Sequence, residues 1–103
     1  MREGELIRRI MLQASEQGAR LWRNNCGMLQ DKDGRWIKYG VCNPGGSDLI
    51  GFTPRIIAGE QVAVFTAIEA KTGRLKPTHE QDSFLLAVER AGGIARVMRE
   101  TDV

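Results

Sequence analysis

Asp48, Glu69 and Lys71 are the residues of this chain whose types and spacing can do chemistry. Asp48 opens the segment Gly46-Ser47-Asp48-Leu49-Ile50-Gly51, and Glu69 and Lys71 close the segment Phe65-Thr66-Ala67-Ile68-Glu69-Ala70-Lys71. Both segments are apolar and strand-like, and a charge inside such a strand is costly unless it is paired or holds a metal. Glu69 and Lys71 are two positions apart, so a strand projects them to one side. Sequential strands are commonly antiparallel neighbours, and in that arrangement Asp48 faces Glu69. Two carboxylates that meet in this way are hard oxygen ligands suited to Mg²⁺ or Mn²⁺, an ion that polarises a phosphodiester and lowers the pKa of a bound water. Lys71 would then orient that water or stabilise developing negative charge. Two plainer readings stay open on the residues alone: an ion pair between Glu69 and Lys71, and a turn or capping role for Asp48 beside its glycines.

The rest of the chain has to position these groups. Its 103 residues, 42% hydrophobic, fit a single domain over residues 1–103 with one core. Lys and Arg total 15 against 13 acidic residues, for a net charge of +2. That excess is too small to identify a partner, although Arg, the side chain best suited to phosphate, dominates the basic set. No apolar run approaches the roughly 20 residues that span a bilayer, so no membrane partner is expected. Glu3 and Glu5 beside the N-terminal arginines do not make a signal-peptide layout, and the expected compartment is the cytosol. Cys26 and Cys42 are too few for a disulfide framework and His79 stands alone, so the cysteines are expected to be reduced residues near the core.

In chain order, Leu6, Ile7, Ile10, Met11 and Ala14 share one face of an amphipathic helix over 5–17 that stops at Gly18. Glu5 falls in its first turn, where a carboxylate complements the helix dipole and is equally available for a site. Alternation predicts strands over 20–28 and 35–42, joined by the turn-forming Gln30-Asp31-Lys32-Asp33-Gly34 as a hairpin. Arg23, Asn24 and Asn25 on the first of these can grip phosphate or bases, or can simply be a solvated strand face. A short strand over 47–53 follows, then a connecting loop over 54–61, then the strongest strand of the chain over 62–71, apolar on both faces and therefore central. Thr78 and Gln81 have the spacing of a capping box at the start of a helix whose stripe is Phe84, Leu85, Val88 and Ala91. Gly92-Gly93 stop it, and residues 94–98 supply a last strand. The predicted order is α-β-β-β-β-α-β, an α/β sandwich with a mixed sheet flanked by helices.

Asp48 followed by Glu69-Ala70-Lys71 resembles the PD-(D/E)XK nuclease signature. More narrowly, the early helical Glu, the Arg-Asn-rich strand, the Gly-x-Ser-Asp-Leu-Ile run Gly45-Gly46-Ser47-Asp48-Leu49-Ile50, Glu69-Ala70-Lys71 and the following helix with a Gln resemble the stand-alone virus-type replication-repair nuclease (VRR-NUC) domain. The resemblance covers nearly the whole chain and departs from the superfamily pattern in having Ser47, not Pro, before the acid. It implies a restriction-endonuclease-like core and a metal-dependent DNA endonuclease of bacterial or phage replication and repair. Branched substrates such as four-way junctions are also implied. Asp48 and Glu69 would ligate Mg²⁺ or Mn²⁺ with help from the Ala70 carbonyl, Lys71 would be the catalytic lysine, and Gln81 and Glu5 would match the helix-borne Gln and the first-helix acid. A homodimer is implied because cuts on two strands call for two sites. The rival reading is a DNA- or protein-binding module of the same fold whose acids only pair with Lys71 and nearby arginines, and a third is a metal phosphodiesterase acting on RNA or nucleotides.

Overall fold

The computed structural model describes residues 1–103. Helix α1 (Glu3–Glu16) is followed by strands β1 (Arg20–Arg23), β2 (Gly27–Gln30), β3 (Trp36–Tyr39), β4 (Leu49–Ile57) and β5 (Glu60–Ala70). Helix α2 (His79–Arg90), strand β6 (Ile94–Met98) and a 3-10 turn at Glu100–Asp102 complete the chain. Strands β1, β4, β5 and β6 lie side by side in that order, antiparallel except for the parallel β5–β6 pair. The protein is therefore α/β, with a mixed sheet and two helices.

Periodicity explains which face each helix covers. Ile68 and Ala70 of β5, with Leu21, Leu49 and Met98 beside them, meet Leu6, Ile7 and Ile10 of α1 in one cluster. Burying each of the Leu, Ile and Met side chains in this cluster stabilises the fold by about 1.5–3 kcal/mol. Ala67 and Glu69 point the other way and are also buried, on the side where α2 packs against β5 and β6. The start of α2 is the expected capping box: the Thr78 hydroxyl accepts from the Gln81 amide at 3.2 Å, and the Gln81 side chain accepts from the Thr78 amide at 2.9 Å.

Three expectations need correction. The strand predicted over 20–28 is broken at Asn24-Asn25-Cys26, so five strands, not four, precede α2. Alternation continues through the break, but Asn24 uses its side chain to bond another loop and the chain changes direction there. The β2–β3 hairpin consequently forms a separate two-stranded sheet instead of extending the main one. The loop predicted over 54–61 is mostly strand: β4 continues through Pro54 to Ile57 and returns as β5 through a tight turn at Ala58-Gly59, both at positive φ (52° and 81°). Pro54 is tolerated because β1 pairs only with Leu49 to Phe52, leaving β4 without a neighbour on that side farther along. Finally, Cys26 and Cys42 are free as expected, but exposed, not near the core.

With both hairpins projecting, the molecule measures 52 × 32 × 23 Å, and its radius of gyration of 15.0 Å exceeds the about 13 Å usual for this length. No helix is long and apolar enough to cross a membrane.

Candidate functional site

The β4–β5 register pairs Leu49 with Ile68, so the residue before Leu49 and the residue after Ile68 meet at the end of the central strands. These are Asp48 and Glu69. Asp48 Oδ2 accepts from the Ala70 amide at 2.8 Å, which fixes the Asp48 carboxylate against β5. Glu69 is 1% exposed, and its Oε2 is buried without a hydrogen-bond partner. Lys71 Nζ stands 4.0 Å from Glu69 Oε1 and is itself mostly buried. Lys71 is held by its own amide, which donates to Met98 O at 3.1 Å, and by the bonds of Gly73 to Glu100 just beyond.

Burial is the main reason that the Glu69 carboxyl is pushed up to about 9 from the usual 4.5; hydrogen bonding and repulsion by Asp48 add to it, Lys71 opposes it, and Glu3 raises it slightly. As two carboxylates, Asp48 and Glu69 have no proton to share and Glu69 Oε2 is orphaned; a proton on Glu69 allows it to bond Asp48. An ordinary Glu69–Lys71 ion pair does not account for this arrangement, because the pairing distance is long and the ammonium fails to offset burial. Within the cluster, positive charge is in deficit.

Asp48 also lines a cleft of about 870 Å³. Its walls are the N-terminal turns of both helices, through Glu3, Gly4 and Ile7 of α1 and Thr78, Glu80 and Gln81 of α2, together with Arg23 to Cys26, Tyr39 and the loop from Asn43 to Ser47. Helix N-termini present unpaired amides and a positive dipole end, which favour an anionic ligand. Arg23 is the only basic side chain lining the cleft, against Glu3, Asp48 and Glu80.

Asn24 ties the cleft together. Its side chain donates to Val41 O at 2.9 Å and Ser47 O at 3.1 Å and accepts from the Val41 amide at 2.9 Å. Its own amide donates to Asp48 O at 2.8 Å. Gly46 is where this loop runs closest to its neighbours: a Cβ there would collide with Val41 O and stand 2.7 Å from Asn24 Nδ2. Gly45 plays the same part against the backbone of Glu80, at 2.7 Å. Asn24→Ala is expected to lower the unfolding free energy by about 1–3 kcal/mol, because the loop groups lose their partner. Gly46→Ala is expected to act in the same direction by steric conflict. Urea unfolding of both variants checks this; wild-type stability in both would remove Asn24 and Gly46 from the scaffold of Asp48.

Asp48, Glu69 and Lys71 thus converge as the strand pattern predicts, and Gln81 reaches the cleft wall while serving as the capping partner of Thr78. Glu5 is placed differently. It pairs with Arg9 one turn on, at 3.1 Å, and does not line the cleft. The first-turn acid that lines the cleft and acts on Glu69 is Glu3, two residues earlier. The signal for Glu3 was present, since Ile7 and Ile10 continue its helical row, but the predicted helix began at Glu5 and left it outside. Asn24 and Asn43 as loop clamps, unlike Glu3, had no signal beyond their polarity.

No group of three or more His, Cys, Asp or Glu side chains is arranged to hold a metal ion. The side-chain donors here are two carboxylates, one with an unpartnered buried oxygen, and that set fits a hard divalent cation completed by backbone carbonyl and water. No family model matches the chain, and neither does any curated protein or solved structure.

Proposed function

We propose that this protein is a metal-dependent DNA endonuclease with a PD-(D/E)XK-type site and a restriction-endonuclease-like core, of the stand-alone VRR-NUC kind. The observation that carries the reading is the buried Glu69 carboxyl, with one unpartnered oxygen, set beside Lys71 and beside Asp48, which opens onto the cleft. Asp48 and Glu69, with the Ala70 carbonyl, would hold Mg²⁺ or Mn²⁺, which supplies Lewis acidity toward the phosphodiester and acidifies a bound water.

The remaining work falls to the chain. Lys71, whose backbone amide is bonded to Met98 O, sets a positive charge beside the carboxylates, where it stabilises negative charge developing on the phosphate. Arg23 and the helix N-termini hold the nucleic-acid backbone, while Gln81 and Glu3 shape the opposite wall of the cleft. One chain has one such cluster, so cutting both strands of a duplex calls for a homodimer. The exposed Trp22, tilted against Phe52 with ring centroids 5.9 Å apart and with Phe65 opposite Phe52 in the sheet, is apolar surface of the kind that such pairing covers. A bacterial or phage-infected cytoplasm and a role in replication or repair of branched DNA complete the proposal.

The test is cleavage of labelled duplex, flap, single-stranded and four-way DNA. Cutting is expected with Mg²⁺ or Mn²⁺ and none with EDTA. Binding without cutting under every metal condition would leave the non-catalytic module as the correct reading, and preferential cutting of RNA would redirect the substrate class.

A further inference from the structure

The β2–β3 hairpin stands apart from the main sheet, with no third strand bonded to it and almost every residue exposed. An isolated two-stranded ribbon is marginal in water, and one with apolar residues on both faces is made to be covered. Its register puts Met28, Gln30, Trp36 and Lys38 on one face, where Trp36 is 63% exposed. Leu29, Ile37 and Tyr39 lie on the other, and Tyr39 crosses Gly27 to line the cleft beside Asp48.

The hairpin is nevertheless rigidly built. Asp31 accepts from the amides of Asp33 and Arg35 at 2.9 and 2.8 Å, and Gln30 donates to Gly34 O at 3.0 Å. Its base is pinned to the Asp48 loop by Asn43, whose side chain donates to Gly27 O at 2.8 Å and Tyr39 O at 3.0 Å. Asp31 and Asp33 both pair with Arg35, at 3.2 and 3.0 Å, so the acids of the turn are engaged internally. Lys32 and Lys38 have no acidic partner, which leaves the ribbon's net surface charge positive.

We propose that this hairpin grips unpaired bases of the nucleic-acid substrate beyond the cleft, on the face opposite Tyr39, with Trp36 stacking on a base and Lys32 and Lys38 facing phosphates. The inference rests on the nuclease reading of the cleft and specifies the feature of the substrate that it recognises. Aromatic residues interleaved with cations are the arrangement that binds single strands, since every base has a face to stack and every step a phosphate to neutralise. A second copy of the chain is the poorer occupant, because Lys is depleted from protein interfaces and Lys38 is one of only four residues on this face, two positions from Trp36.

The experiment uses the full chain carrying Trp22→Phe, which leaves Trp36 as the sole tryptophan of the two. In EDTA, its emission is followed against oligothymidylate, a blunt duplex, and the same duplex with a single-stranded gap. Saturable quenching by the strand and the gapped duplex, weak or absent with the blunt one, is expected. Trp36→Ala, read by fluorescence anisotropy of labelled DNA, is expected to weaken binding of the unpaired substrates at least about fivefold, with Trp36→Phe restoring much of it. Lys38→Ala is expected to flatten the salt dependence of binding. Equal quenching by blunt duplex, no quenching at all, or an emission shift that follows protein concentration without DNA would each overturn the proposal, the last by assigning the hairpin to a second copy. Binding is read without metal and cleavage with it, so a hairpin that fails to bind unpaired bases is separable from a cleft that fails to cut.

Discussion

Asp48→Asn and Lys71→Ala are each expected to reduce metal-dependent DNA cleavage by at least about 10²–10³-fold, the effect of removing one preorganised charge-stabilising group from a site. The two act through different links. Asp48 carries the exposed side of the carboxylate pair, and its Oδ2 is anchored by the Ala70 amide at 2.8 Å. Asparagine keeps the size and can keep an acceptor toward that amide, so the fold survives while the negative charge that attracts the cation is lost. Lys71 makes no hydrogen bond through its side chain and its contact to Glu69 spans 4.0 Å, so alanine removes the charge together with the packing of a mostly buried stem. Asp48→Asn should therefore unfold near the wild-type urea midpoint and Lys71→Ala somewhat below it, and both should stay folded and bind DNA in EDTA. Initial rates on a labelled duplex with Mg²⁺ and with Mn²⁺ check the expectation. Wild-type rates in either variant, or cutting that persists in EDTA, would refute the site.

Glu69→Gln is expected to abolish cleavage too, and also to stabilise the metal-free protein at alkaline pH. The Glu69 carboxyl lies at about 9 in the folded protein and near 4.5 when free. A raised folded value means that the native state binds more protons than the unfolded one between these limits, so metal-free stability must fall as pH rises from about 4.5 to 9. Below that window the contribution is intact. Glutamine retains the shape and a neutral group that can donate to Asp48, so it removes this slope. Leaving a buried polar group unsatisfied costs about 1–3 kcal/mol, and each kcal/mol shifts the melting temperature of a domain this size by about 4–8 °C. Thermal unfolding in EDTA from pH 5 to 9 should show the wild type declining and Glu69→Gln level. Mg²⁺ should restore the wild type at high pH and leave the variant unchanged. Parallel declines in the two proteins would mean that another group controls the pH dependence.

Much of the architecture can be read along the chain because it is local. The stripe Leu6, Ile7, Ile10 marks α1, the Thr78–Gln81 spacing marks the start of α2, and the two-faced apolar run ending at Ala70 marks a central strand. Errors arose where a distant partner overruled local pattern. Residues 20–28 alternate like one strand, yet Asn24 leaves that ladder to bond Val41 and Ser47, 17 and 23 residues away. Pro54 reads as a breaker, yet β1 ends before it and leaves its missing N–H without consequence.

The catalytic candidates divide in the same way. Residue order was enough to single out Asp48, Glu69 and Lys71, because charge inside an apolar strand is conspicuous and period two puts Glu69 and Lys71 on one side. It was also enough to place Gln81 on the first turn of a helix. Residue order does not reveal how deeply a carboxylate is buried or which of two first-turn acids looks into a cleft. Those depend on where α1 docks on the sheet, and it docks so that Glu3 lines the cleft while Glu5 pairs with Arg9. Folding alone makes Glu69 a 1% exposed carboxyl with an unpartnered oxygen. The physical reason is that desolvation is a property of everything packed around a group; β4 and β6 flank Glu69 on β5, and no short window of sequence contains them together.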